Sequence, residues 1–376
     1  MIYFDNAATG GYKPYGVTET AINVIKYLNA NPGRSGHRLS RTAADLVYSS
    51  RKTLAEFFNA KTPADVIFTK NCTEGLNIAI HGTVKKGMRV ITTVFEHNSV
   101  LRPLFTLKEK GLIDVTVVSP ENGCFITAND VKKAFDESVY MVAVTGASNV
   151  TGAVNDISGI GEFLRDKNAL YLVDGAQAAG HIQIDVQKSN INMLAVAGHK
   201  GMMGIAGSGA LIINGAEVSP LMQGGTGTES FNPLQPDCYP ERLEAGTLNL
   251  PAICSLEEGA RYLMNNLDYA KKCLLEATAY LITKLEKNGG VKIYSQPNAA
   301  GIVAFSRAGI PSTDLAEILS ENYDIAVRGG FQCAPLCHKF LKTDEDGLVR
   351  VSLAINNTRR EINEFVAAMD KIVSSD

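Results

Sequence analysis

Two segments of this chain place reactive side chains where a buried strand gives way to a loop. ALYLVD runs into GAQAAG, which sets Asp174 at the C-terminal edge of a strand with Gln177 three residues on. MLAVAG runs into HKGMMG, which sets His199 and Lys200 at a second strand end. In an open parallel sheet that edge is where ligands bind. Taken singly, Asp174 reads as a helix cap and Lys200 as a solvated loop charge. Together they suit one chemistry. A lysine beside glycines can reach an aldehyde and form a Schiff base, and a carboxylate on the same rim can keep a pyridine nitrogen protonated. Those are the two protein groups that pyridoxal phosphate demands. Gln177 could donate to the phenolic oxygen of that ring. A phosphate site is also available where DVIFTK ends, because Asn71-Cys72-Thr73-Glu74-Gly75 opens a helix whose free N–H groups and dipole attract anions. Thr73 reads equally well there as a simple N-cap, and the two roles compete for the same N–H groups.

The elements that must position these residues are legible from periodicity. DVIFTK, RVITTV, DVTVV, YMVAV, ALYLVD, MLAVAG and GALII read as buried strands, with helical stretches such as Glu74–Val84 and Asp156–Asp166 between several of them. Such alternation predicts a mostly parallel central sheet in an α/β domain. The last strands leave little room for helices, so an antiparallel edge strand is expected. Ala252 to about Asn288 reads as one or two long helices. A smaller α+β unit follows: strand IVAFSR, helix Thr313–Glu321, strands IAVR and LVRVSLA, and a final helix opened by a Thr358–Glu361 capping box. The expected domains are residues 15–255, and 256–376 together with 1–14.

Composition narrows the function classes. The 376 residues are 45% hydrophobic, and 36 Lys plus Arg stand against 39 Asp plus Glu. This balance leaves no basic footprint for nucleic acid. No apolar run reaches bilayer length, and MIYFDNAATG does not read as a secretory signal. Seven scattered cysteines, an odd number, predict reduced thiols in a cytoplasm rather than a disulfide framework. Cys333, Cys337 and His338 lie close together, but no second ligand cluster accompanies them, and no metal is expected.

VDGAQ followed by GHK resembles the class V aminotransferase group of fold-type I pyridoxal phosphate enzymes, and more narrowly the type II cysteine desulfurases and selenocysteine lyases. The resemblance runs through FDNAATG, NPGRSGHRLS, NCTEGLN, FEHNSV, ASNVTG, EAGTLN, VRGGFQCAP and VRVSLAINNT, nearly the whole chain. It implies that Lys200 forms the Schiff base, Asp174 meets the ring nitrogen and Gln177 the phenolic oxygen. His97 would stack on the ring and move protons on the substrate thiol. Thr73, within the Cys72–Thr73 helix start, and His199 would hold the phosphate. Thr247 would reach the phosphate of a neighbouring subunit, which implies a homodimer. Arg350 would clamp the α-carboxylate of L-cysteine with help from Asn149, and Arg328 would line the same pocket. Cys333, on a Gly-rich loop, would attack the substrate sulfur, become a persulfide and hand the sulfur to an acceptor protein.

Three positions depart from that group's pattern: Ala197 where many relatives carry Ser or Thr against the phosphate, Phe331 for a polar residue, and Gly33 for a histidine. Cys337 is an additional thiol. The same scaffold also supports an aminotransferase, a selenocysteine lyase or another β-lyase. A nicotinamide enzyme fits less well, since GMMGIAGSG precedes a strand instead of following one and opening a helix. A non-enzymatic scaffold would leave the coherent set of strand-end residues without a purpose.

Overall fold

The apolar runs fold as strands and the amphipathic stretches between them as helices. The computed structural model describes residues 1–28 and 30–373. Strand β1 (Ile2–Tyr3) precedes helices α1 (Tyr15–Tyr27) and α2 (Arg38–Phe58). Then come β2 (Val66–Thr69), α3 (Cys72–Thr83), β3 (Met88–Thr93), α4 (Asn98–Glu109), β4 (Ile113–Val118) and α5 (Ala128–Ala134). They are followed by β5 (Val139–Thr145), α6 (Ile157–Leu164), β6 (Leu170–Asp174), β7 (Met193–Ala197) and β8 (Gly209–Ile213). The remainder holds α7 (Leu250–Leu285), β9 (Val291–Ile293), β10 (Ile302–Arg307), α8 (Ser312–Tyr323), β11 (Ile325–Ala326), α9 (Pro335–Leu341), β12 (Val349–Ser352) and α10 (Arg359–Val373).

All seven expected strands join one sheet, in the order β2-β8-β7-β6-β5-β3-β4. Strands β4, β3, β5, β6 and β7 are parallel, and β8 runs antiparallel to both β7 and β2. The antiparallel strand therefore sits one place in from the edge, not at the edge as the sequence suggests. No crossover helix fits between β7 and β8, so β8 folds straight back, and β2 then covers its far side. Side chains alternate between two cores, as a pleated strand requires. Tyr171, Val173, Leu194 and Val196 enter one core, while Leu172, Met193, Ala195 and Ala197 enter the other, against Leu76 and Ile80 of α3. Asp174, two residues beyond Leu172, thus emerges on the α3 side of the sheet.

A third core gathers Phe4, Leu274, Leu281, Phe305, Val351, Phe365 and Met369. Around it β12-β10-β9 form an antiparallel sheet, and β1 pairs in parallel with β11, so the chain's start joins its C-terminal unit. The single helix α7 serves both units: Leu256 and Leu263 of its first half enter the first core, and its second half enters the third. The boundary expected after residue 255 falls inside this unbroken helix. At α10 the capping box forms, with Thr358 N donating to Glu361 Oε2 (2.6 Å) and Glu361 N to Thr358 Oγ1 (3.2 Å). No helix among the described residues is long and apolar enough to cross a membrane.

Candidate active site

The C-terminal ends of β2, β3, β5, β6 and β7 open onto one cleft, the edge of an open parallel sheet where ligands bind. Cys72, Thr73, His97, Asn149, Asp174, Gln177, His199 and Lys200 all line it. The sheet register explains the convergence: Thr145 of β5 stands beside Asp174 of β6, which stands beside Ala195 of β7.

Asp174 is buried, and its Oδ1 accepts from Ala176 N (2.9 Å) and from Cys72 Sγ (3.3 Å). Burial, then the charge of Asp174, pushes the Cys72 thiol well up, so it remains a neutral donor. Lys200 follows His199 after the end of β7. Burial lowers its amine, although Asp174 and Cys72 act in the opposite sense, and Arg350 and Arg328 add to the lowering. A lysine held this way has a larger share of the neutral amine that attacks carbonyls. Gln177 Nε2 donates to Ala7 O (2.9 Å), while its Oε1 is buried without a partner. Any donation from Gln177 to a phenolic oxygen thus falls to the second hydrogen of that nitrogen.

At α3 the cap is Asn71, whose Oδ1 accepts from Glu74 N (2.9 Å). Thr73 is therefore not the cap. Its hydroxyl meets Ser99 Oγ (2.8 Å), and the first-turn amides of Cys72 and Thr73 stay available to an anion. Ser99 also contacts His97 Nδ1, by its Oγ at 2.7 Å and its N at 3.1 Å. Nδ1 accepts from that amide, which assigns the ring proton to Nε2. Burial holds His97 below its ordinary value, with Asp174 opposing and Lys200, Arg328 and Arg102 assisting. His199 is lowered to about 4 by burial, then by Lys200 and Lys13, and its Nδ1 meets Thr9 Oγ1 (3.0 Å). Both imidazoles are neutral near pH 7.

Arg350 is 1% exposed. Its Nη1 donates to Asn149 O (3.0 Å) and its Nη2 to Asp5 Oδ1 (2.8 Å), and its Nε is buried with no partner. Asn149 Nδ2 donates to Gln332 O (2.6 Å), and Asn98 N donates to Cys333 O (2.8 Å). These two bonds fasten the cysteine loop to the cleft rim. Gln332 and Cys333 both adopt left-handed backbone, φ 42° and 59°. The side chain of Gln332 secures this turn by donating to Leu348 O (2.9 Å) and pairing with His338 Nε2 (3.1 Å). Arg328 Nη2 lies 3.7 Å from Cys333 Sγ.

Thr247 is exposed and lies outside this cleft. Gly33 lines a different cavity beside Arg34 and Glu244. Ala197 forms cleft wall without a polar atom, and Phe331 packs edge-on against His338, centroids 5.4 Å apart. Cys337 is buried and its thiol is pushed up to about 12 by burial, which leaves it without thiolate character. Sequence reading missed Ser99, Glu96 and Asp5, although EHNS and FDNAAT are motifs it used; side-chain contacts made across 26 or 345 residues leave no trace in spacing.

The residues present fit pyridoxal phosphate with an amino acid beside it. A buried polar atom without a partner costs about 1–3 kcal/mol; Gln177 Oε1 and Asn149 Oδ1 are two such atoms on residues that line the cleft, and Arg350 Nε, on a side chain bonded to Asn149 O, is a third. A ligand carboxylate would answer Arg350 Nε, and N–H or O–H donors of the ligand the two amide oxygens.

A family model described as aminotransferase class-V matches residues 2–365. The probable cysteine desulfurase of Pyrococcus abyssi (strain GE5 / Orsay) is 33% identical, covering 100% of this chain and 95% of that protein. That of Methanothermobacter thermautotrophicus is 34% identical, covering 99% and 94%. The apo structure of cysteine desulfurase from Thermococcus onnurineus NA1 aligns with a TM-score of 0.90 at 32% identity, over 100% of this chain and 95% of that one.

Proposed function

We propose, from the premise that this chain belongs to the class-V aminotransferase family, that it is a pyridoxal-phosphate-dependent cysteine desulfurase. L-Cysteine leaves as L-alanine, and its sulfur stays on Cys333 as a persulfide. The observation that carries this reading is the meeting of two clusters. One is the Lys200, Asp174 and His97 cleft, and the other is a cysteine loop that Asn98 and Asn149 tie to its rim. The activity named for the relatives supports it.

Pyridoxal phosphate, when bound, supplies an aldehyde that condenses with amines and a ring that accepts the electron pair left when Cα loses its proton. Lys200 would hold it covalently, Asp174 at the ring nitrogen and Gln177 at the phenolic oxygen. Thr73, the first-turn amides of α3 and His199 would hold the phosphate, and His97 would stack on the ring. Arg350 receives the substrate carboxylate on its unpartnered Nε edge, with Asn149 and Arg328 beside it. Lys200, once the substrate amine has taken its place, removes the Cα proton. Cys333 then attacks the substrate sulfur. An S–S bond forms, the Cβ–S bond breaks, and its electron pair goes to Cβ, which takes up a proton. L-Cysteine and one thiol become L-alanine and one persulfide, with no external oxidant. His97 would move protons on the substrate thiol.

The persulfide sulfur then passes to an acceptor protein. We take the active unit to be a homodimer, because exposed Thr247 would act in a neighbour's cleft rather than its own. Seven free cysteines suit a cytoplasmic location.

The test is alanine release from L-cysteine, cysteine sulfinate and selenocysteine side by side, with the cofactor bound. L-Cysteine should be turned over, and Cys333→Ser should abolish alanine and sulfide formation while the near-visible, borohydride-bleached band persists. Retained desulfuration in that variant would remove Cys333 from the mechanism. Preference for selenocysteine would reassign the substrate.

A further inference from the structure

Arg350 and Arg328 are antiparallel neighbours that exchange both backbone bonds, Arg350 N to Arg328 O at 2.8 Å and Arg328 N to Arg350 O at 3.2 Å. Directly opposed residues share a face, so two guanidinium groups stand side by side. Among the described residues, one carboxylate is ion-paired with either of them: Asp5, on Arg350 Nη2 at 2.8 Å. Its placement is built into the fold. Phe4 N donates to Ala326 O (2.9 Å) and Ser352 N to Phe4 O (2.7 Å), and Asp5 itself bridges to Ser352. The chain's start is thereby laid between β11 and β12, and the Asp5 side chain is delivered to the guanidinium.

The three nitrogens of Arg350 are used unequally. Asn149 O takes Nη1, Asp5 takes Nη2, and Nε is buried with nothing to donate to. Asp5 therefore does two things. It fixes which edge of the guanidinium faces an incoming carboxylate, and it offsets part of the positive charge that carboxylate would meet. An enzyme that binds an amino acid and releases one differing by a single sulfur gains nothing from holding the shared carboxylate too tightly, because uniform binding does not speed the chemical step.

We propose that Asp5 is a positioning residue that orients Arg350 and weakens its grip on the α-carboxylate shared by substrate and product. This rests on the reading of Arg350 as the carboxylate clamp.

The experiment compares Asp5→Asn with Asp5→Ala in the cofactor-loaded enzyme. Asparagine keeps an oxygen for Nη2 but removes the charge. KM for L-cysteine and the inhibition constant of L-alanine should both fall several-fold, with kcat changing less. Alanine removes the tether as well, and both constants should rise roughly tenfold as Arg350 loses its orientation. If Asp5→Ala does not fold, Asp5→Glu takes its place, with the charge kept, the reach changed and KM raised. A merely structural aspartate would lower the thermal midpoint of both variants without splitting KM in opposite directions. KM moving the same way in both, or in neither, overturns the proposal. Arg350→Lys separates the two ideas: an unchanged KM there sinks the clamp itself, whereas a raised KM with an unmoved Asp5→Asn sinks only the role of Asp5.

Discussion

Lys200 shows how one residue's chemistry is set by its surroundings. In water its amine would be almost wholly protonated, yet burial lowers it, and the neighbouring arginines add to that effect while Asp174 opposes it. Other lysines are poorer candidates for a covalent bond to an aldehyde in this cleft. Lys13, lowered by burial to about 8, spends its amine on His199 O (3.2 Å) and does not line the cleft. Lys200→Ala should therefore yield a folded protein without the near-visible band. A spectrum that keeps the band would assign the bond to another lysine. The thiols divide in the same manner. Cys72 and Cys337 are held as neutral thiols by burial, whereas Cys333 is partly exposed with Arg328 at its sulfur.

Two elements carry the site, and each depends on a local device. Helix α3 begins with a turn able to hold an anion because Asn71 satisfies Glu74 N and leaves the amides of Cys72 and Thr73 unspent. Asn71→Ala should cost about 1 kcal/mol of stability, read as a lower thermal midpoint. It should also speed cofactor loss on dilution, because the turn that presents those amides frays. A stable variant with unchanged retention would mean the cap is irrelevant to the phosphate. The cysteine loop depends on the opposite device, a strained turn. Two consecutive side-chain-bearing residues in left-handed backbone cost on the order of 1–3 kcal/mol each, and Gln332, Asn149 and Asn98 offset this with hydrogen bonds to the loop. The thiol is thus held in a set position before substrate arrives.

Across the molecule, the same packing that builds the cleft creates a pH liability. Glu96 is fully buried; its Oε1 accepts from Thr93 Oγ1 (2.6 Å) and Thr145 N (2.9 Å), and its Oε2 has no partner. Burial pushes its carboxyl up to about 8, with Asp174 adding to the rise and the two hydrogen bonds opposing it. The folded state therefore binds a proton that the unfolded chain, near 4.5, has released. That stabilisation is complete below 4.5 and is lost as pH rises through 8. His199 acts in reverse: held at about 4, it contributes stability that is present above its ordinary 6.5 and lost as pH falls through 4. The two effects cancel between about 4.5 and 6.5, so thermal midpoints should decline chiefly between about pH 6.5 and about pH 8, and Glu96→Gln should flatten that decline. Parallel profiles for the two proteins would discharge Glu96 from the effect.

How much of this was legible beforehand depends on the range of the interactions. Val- and Ile-rich runs bury both faces of a strand wherever they fall, so the seven strands, the α/β class and the strand-end positions of Asp174 and Lys200 could be read from residue order. The Thr358–Glu361 cap spans three residues and could be read too. The place of β8 inside the sheet could not, because it depends on which strand pairs with its far side. The capping of α3 by Asn71 rather than Thr73 was hidden because two residues of similar capping propensity lie two positions apart. The contacts of Arg350 with Asp5 and Asn149, and the joining of the chain's first strand to its C-terminal unit, are decided by tertiary structure alone. They bring together groups hundreds of residues apart, and only the packed sheets, not any local pattern, determine that distance.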